Sequence, residues 1–167
     1  MTPTEQEANA SRSLLCYLMP LIPVTWTVPD ESRFNPSDVQ SFIRVSTSVE
    51  SELPSGFHPS TSGTATRAAF AELRVVCECY YRETSAAEVR STDSAATLAS
   101  QVRSALRAPL NVPILDYVSD PQTPAATEAQ LQFISPSTTS APPVMDGWQR
   151  RIVTTRAVWL VRTESTV

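Results

Sequence analysis

The sequence predicts an α+β fold: one mainly antiparallel sheet with two long strands, an N-terminal helix, and a second helix packed on the sheet. Three observations lead there. In RAAFAELRVVCECYYRE, residues 67–83, every odd position from Ala69 to Tyr81 is apolar, the longest period-two run in the chain. Residues 148–162 repeat the pattern, with Trp148, Ile152, Val158 and Leu160 on one parity and Val153, Ala157, Trp159 and Val161 on the other. Between them, Ala95, Leu98, Ala99, Val102, Ala105 and Leu106 recur at helical spacing. Strands outnumber helices, and short connections favour antiparallel pairing in a single layer covered by helices.

The elements follow in order. Residues 4–19 read as a helix: Thr4 and Glu7 have capping-box spacing, Ala8, Leu15, Leu18 and Met19 fall near one face, and Pro20 ends it. LIPVTW is a short extended piece, and TVPDESRFNP a loop fixed by Pro29 and Pro36. SFIRVSTSVE, residues 41–50, alternates as a half-buried strand. Ile43, Val45 and Val49 face one way, and Phe42, Arg44, Ser46 and Ser48 the other. Residues 53–66 collect turn formers and predict a long exposed loop. The helix over 92–108 has Thr92 as N-cap, Asp93 at the positive end of its dipole, and Arg103 and Arg107 at the other end. VPILDYV (112–118) and AQLQFIS (129–135) are short strands around a Pro-rich turn, and 136–146 is a second exposed loop. No internal repeat interrupts this order, and 167 residues suit a single domain.

Composition narrows function. All 13 basic residues are Arg, against 17 acidic ones, giving a net charge of −4; bulk-charge binding to nucleic acid is therefore not expected. Every cation is a planar fork suited to bidentate pairing with carboxylates. No apolar run reaches the ~20 residues of a membrane span, so no membrane association is expected. LLCYLMPLIPV is broken by Pro20 and Pro23 and preceded by Glu5 and Glu7, which argues against a signal peptide. The three cysteines are then expected as reduced thiols.

Cys77-Glu78-Cys79 is the feature most suggestive of chemistry. On a strand both thiols share a face, about 6.5–7 Å apart at Cα, with parallel Cβ vectors that do not suit a disulfide. A tetrahedral metal site needs two more ligands, and Cys16 and the lone His58 form no second ligand pair. The expectation is two small core residues, with no metal, cofactor or catalytic group. His58, between Phe57 and Pro59, has no nucleophile motif beside it, and three glycines form no phosphate loop. Arg150, Arg151, Arg156 and Arg162 stand to pair across strands with Glu72, Glu78 and Glu83.

The order of elements carries a resemblance. A helix running into LIPVTW, then RFNP before the strand SFIRVS, is followed by AELRVVCECYY, the helix AATLASQVRSAL, and the pair LQFIS and GWQRRIVTTRAVWLVR. Over most of residues 8–162 this resembles the phage tail terminator family, small proteins that cap the tail tube of long-tailed bacteriophages. The chain departs from that pattern at 27–33 and in the longer loops 119–127 and 136–146. The resemblance implies a non-enzymatic virion protein at the junction of tail and neck, assembled in the host cytoplasm. It would form a homo-hexameric ring on the last ring of tail-tube protein, end polymerisation, and present a surface to the head-side connector. DNA would pass through without specific binding. Glu78, Tyr80, Arg82, Arg150 and Arg156 on the sheet, with Phe57 and His58 in the loop, are the expected interface residues. Three other readings remain open: another head–tail joining or tail-completion protein of the same class, a small Cys-dependent hydrolase or transferase, and a bacterial ligand-binding domain.

Overall fold

Period-two segments that bury one face must meet, and here they do so in one curled sheet. The structure, a computed structural model, describes residues 3–29, 34–52, 65–82, 94–107, 110–142 and 147–164. Two α-helices, α1 (Pro3–Leu18) and α2 (Ser94–Ala105), accompany seven strands. These are β1 (Thr25–Thr27), β2 (Ser41–Glu52), β3 (Ala65–Arg82), β4 (Asn111–Asp116), β5 (Ala125–Phe133), β6 (Thr138–Ser140) and β7 (Trp148–Glu164). The spatial order is β1-β2-β3-β7-β5-β4, with β6 also on β7. Among the described residues only β1 and β2 pair parallel; every other pairing is antiparallel, as the fold class predicts. At 12 residues β2 joins β3 (18) and β7 (17), so three strands and not two exceed ten residues.

The odd-numbered face of β3 is the centre of the core. Ala71, Leu73, Val75, Cys77 and Cys79 are all buried, and they meet Ile43 and Val45 of β2, Leu131 and Phe133 of β5, and Val153, Ala157 and Trp159 of β7. From α2 come Ala95, Leu98, Ala99 and Val102, with Leu106 just beyond its end, as the helical stripe predicts. Gly147 enters β7 with φ +76°, a conformation that any other L residue there would adopt under strain.

Several expectations are corrected. The buried face of α1 is Ala10, Leu14 and Leu18 together with polar Asn9, Ser11 and Ser13; Leu15 is only half-buried and Met19 is exposed. Glu7 does not close a capping box, because its Oε1 accepts from the backbone N–H of Val49, 2.8 Å away on β2. Phe42 is buried on the face expected to be solvated. The 136–146 segment is not loop throughout, since Thr138–Ser140 adds a short strand to β7. The alternation along β3 is also not continuous: the register with β7 skips a residue between Ala69 and Ala71, a bulge that breaks the parity at Phe70. Of the predicted loop 53–66, Ala65 and Thr66 belong to β3 and the rest lies outside the described residues, as do Thr92 and Asp93.

The buried polar residues of α1 have a common task. Ser11 Oγ accepts from Thr47 N (3.1 Å), on the flank of β2 that β3 leaves free. Ser13 Oγ accepts from Leu115 N (2.9 Å) on β4, and Asn9 Oδ1 accepts from Tyr117 N (2.8 Å) and Val118 N (3.1 Å) just past it. One helix thereby satisfies backbone donors on both margins of the sheet. Replacing Asn9 by Ala strands two amide donors. Urea unfolding should show a loss of about 2–3 kcal/mol, against less than ~0.5 kcal/mol for Arg12→Ala on the same helix.

Candidate interaction surface

The outer face of β2, β3 and β7 gathers most of the predicted interface residues, and register explains why. Arg44 pairs with Glu78 across β2–β3, Tyr80 with Arg150 and Glu78 with Ile152 across β3–β7, so their side chains emerge side by side. At the end of the face where β7 begins, Phe42 stacks on Tyr80 (4.5 Å between centroids), with Phe34 at 4.8 Å and Trp148 edge-on at 5.4 Å. Arg82 lies 4.8 Å over the Trp148 ring and Arg150 lies 5.6 Å over Tyr80. The guanidinium of Arg82 also donates to the carbonyls of Pro36 (2.8 Å) and Ser37 (3.2 Å), tying down the 3-10 turn Pro36–Asp38 that Asn35 caps.

Next to the aromatic group, Glu78 is the single acceptor for two cations. It ion-pairs with Arg150 and lies 4.0 Å from Arg44. Its side chain is 16% exposed against 33% and 37% for the arginines, so the carboxylate is the best-shielded member. The Nε atoms of Arg44 and Arg150 are buried and donate to nothing among the described residues. The hydrogen bond that Arg150 donates to Glu78 outweighs the cost of burial and raises the pKa of Arg150 above its ordinary value. Tyr80 moves upward too, first through burial and then through the Glu78 charge.

Arg156 is separate from this group, six positions further along β7, where it bridges Glu50 (3.3 Å) and Glu72 (3.5 Å). The face thus repeats one motif with inverted sign: two arginines on one glutamate, then two glutamates on one arginine. The cross-strand pairing expected for Glu72 and Glu78 forms. Arg151 has the opposite parity and donates to the Arg150 carbonyl (3.2 Å). Phe57, His58 and Glu83 lie outside the described residues. Sequence reading missed Phe34, Phe42, Arg44, Glu50 and Trp148 as members of this surface. The signal lay in the even parity of SFIRVSTSVE, which aligns with the even parity of β3.

The thiols lie on the other face. Cys77 and Cys79 are buried, and desolvation is the main cause of raised pKa values, Cys79 being pushed up to about 12. Cys16 is exposed, with its Sγ 2.7 Å from the Tyr117 hydroxyl. Among the described residues no group of three His, Cys, Asp or Glu could hold a metal, and no helix is long and apolar enough to cross a membrane. No protein-family model matches the chain, and no curated protein matches it.

Two expectations follow. Glu78→Gln leaves two half-buried guanidinium groups without a counter-charge and should cost about 2–3 kcal/mol in denaturant unfolding, whereas Glu72→Gln at the exposed Arg156 should cost under ~1 kcal/mol. A thiol reagent should titrate one cysteine in native protein and three after unfolding. Because the buried thiols keep their protons in the folded state while unfolded thiols lose theirs near pH 9, their contribution is constant below that pH. Above it, stability should fall by up to ~1.4 kcal/mol per pH unit per thiol, and Cys79→Ala should flatten the decline.

Proposed function

We propose that this chain is the subunit of a closed ring that caps a phage tail tube, ends its polymerisation and offers the head-side joining surface. One structural feature carries the reading. Beyond the bulge at Phe70, β3 pairs with β7 alone: its pairing with β2 stops at Ala71, and β5 stops pairing with β7 at Val161. Among the described residues, Ala65–Arg67 and Arg162–Glu164 therefore form a two-stranded ribbon with no neighbour on either side. Unpaired N–H and C=O groups along such a ribbon favour addition of a strand from another chain. A ring of identical subunits needs such a projection at one end and a complementary surface at the other, because its interfaces are heterologous.

Two supporting features concern what the ring must tolerate. The net charge of −4 suits a channel that DNA crosses without adhering. The resemblance in element order supplies the particular partners, tail-tube protein and connector. A joining or completion protein would share this architecture, so the deciding test is functional. Negative-stain microscopy of the concentrated protein should show six-fold rings, and tails assembled without it should be overlong. Tails of normal length that fail to join heads would instead assign the chain to completion. A monomer up to about millimolar concentration that leaves tube length unchanged would overturn both.

A further inference from the structure

Between the C-terminal half of α2 and the residues after β5 lies an open cavity of about 430 Å³, lined by Ser100, Arg103, Ser104, Leu106, Arg107, Pro136 and Ser137. Arg103 on the last turn of α2 and Arg107, two residues past its end, both line it and are both exposed, and neither has an ion-pair or hydrogen-bond partner among the described residues. Among the described residues the remaining polar lining consists of hydroxyls, and no acid there offsets the two charges. Its size is that of a site for a few side chains.

The complementary charge lies at the opposite end of β5. Of the four acids in residues 108–149, a segment with no basic residue, Asp116 and Asp120 stand there. Asp116 and Asp120 flank the turn between β4 and β5, and neither forms an ion pair among the described residues. Hydrogen bonds hold both as carboxylates. Asp116 accepts from the Ser119 hydroxyl (2.6 Å), and Asp120 from the Thr123 hydroxyl and from Gln122 N (3.0 Å), which lowers both pKa values. Between them Val118 is 44% exposed, an apolar residue at the tip of an anionic knob.

Knob and cavity cannot meet within one molecule. β5 spans nine residues with the knob before its first residue and the cavity rim past its last, a separation of about 30 Å at ~3.3 Å per residue. The knob also sits level with the ribbon, because Ala129 pairs with Val161 and the residues before it run toward the end of β7. We propose that the Asp116–Asp120 turn of one copy seats in the Arg103/Arg107 cavity of the next, so that the two ends of β5 form the heterologous contact of the assembly. This rests on the ring reading and names its interface. The second copy is favoured over a free anion because two carboxylates on one turn match two guanidinium groups on one wall.

The test is a charge exchange read by sedimentation velocity on the full chain. Variant one carries Arg103→Glu and Arg107→Glu; variant two carries Asp120→Arg and Gln122→Arg. Each alone should lose self-association at least tenfold, and wild-type association should weaken with added salt. An equimolar mixture should regain it, since each variant then presents a cavity opposite in sign to its partner's knob. Rescue in the mixture cannot come from misfolded chains. Wild-type rings that both variants still form would overturn this contact while leaving the ring intact; a wild type that is monomeric at all concentrations and leaves tube length unchanged would overturn the ring itself. Variants that lose association singly without regaining it together would also reject the contact.

Discussion

The structure depends on how α1 treats the two margins of the curled sheet. A sheet of seven strands that curls without closing leaves backbone donors unpaired at both margins, and burying them unsatisfied would cost about 1–3 kcal/mol each. The solution is a helix whose buried stripe is partly polar. Ala10, Leu14 and Leu18 fill the interior, while Glu7, Asn9, Ser11 and Ser13 reach β2 on one side and β4 on the other. Thr47 completes the seam by donating its hydroxyl to the Glu7 carbonyl at 2.9 Å. The helix acts as a stave with side-chain oxygens in place of a strand's carbonyls.

That closure determines which edges stay available. With β4 covered by α1 and the start of β2 covered by β1, the longest pairing left open among the described residues is the ribbon of β3 and β7 past Phe70. Bulges lie where it leaves the body, between Ala69 and Ala71 on β3 and between Val49 and Ser51 on β2. A bulge adds twist and bends the strand, so these irregularities place a local bend where the ribbon begins. Covered margins and an open ribbon are two sides of one arrangement.

How far the sequence revealed this depends on which rule each residue obeys. Cys77 and Cys79 were legible as core because period two is strict where a strand is buried on one face. The stripe Ala95, Leu98, Ala99 and Val102 was legible for the same reason at helical period. Asn9, Ser11 and Ser13 were not, because a polar residue on a helix reads as solvent-facing unless its distant backbone partner is known. Phe42 was misplaced because its cover comes from Phe34 and Trp148, the latter 106 positions away in sequence. The β3 bulge was hidden by composition: Ala69 and Ala71 are both apolar, so a lost register leaves the alternation looking unbroken. β6 is three residues, Thr138–Ser140, all exposed, too short and too polar to show periodicity.

The distribution of unpaired charge separates two roles that the sequence had merged into one surface. Arg44, Arg150 and Arg156 already have glutamate partners within the chain, and Arg82 holds the Pro36–Asp38 turn. A neighbour docking on that face would have to compete with these contacts, and exchanging one ion pair for another yields little. Among the described residues Arg103, Arg107, Asp116 and Asp120 have no such counter-charge, and they lie at the two ends of β5. Charges left unsatisfied by the fold are the ones whose pairing an assembly can add without first breaking anything. On that ground the proposed contact is assigned to the ends of the strands, and the outer sheet face to stiffening the subunit.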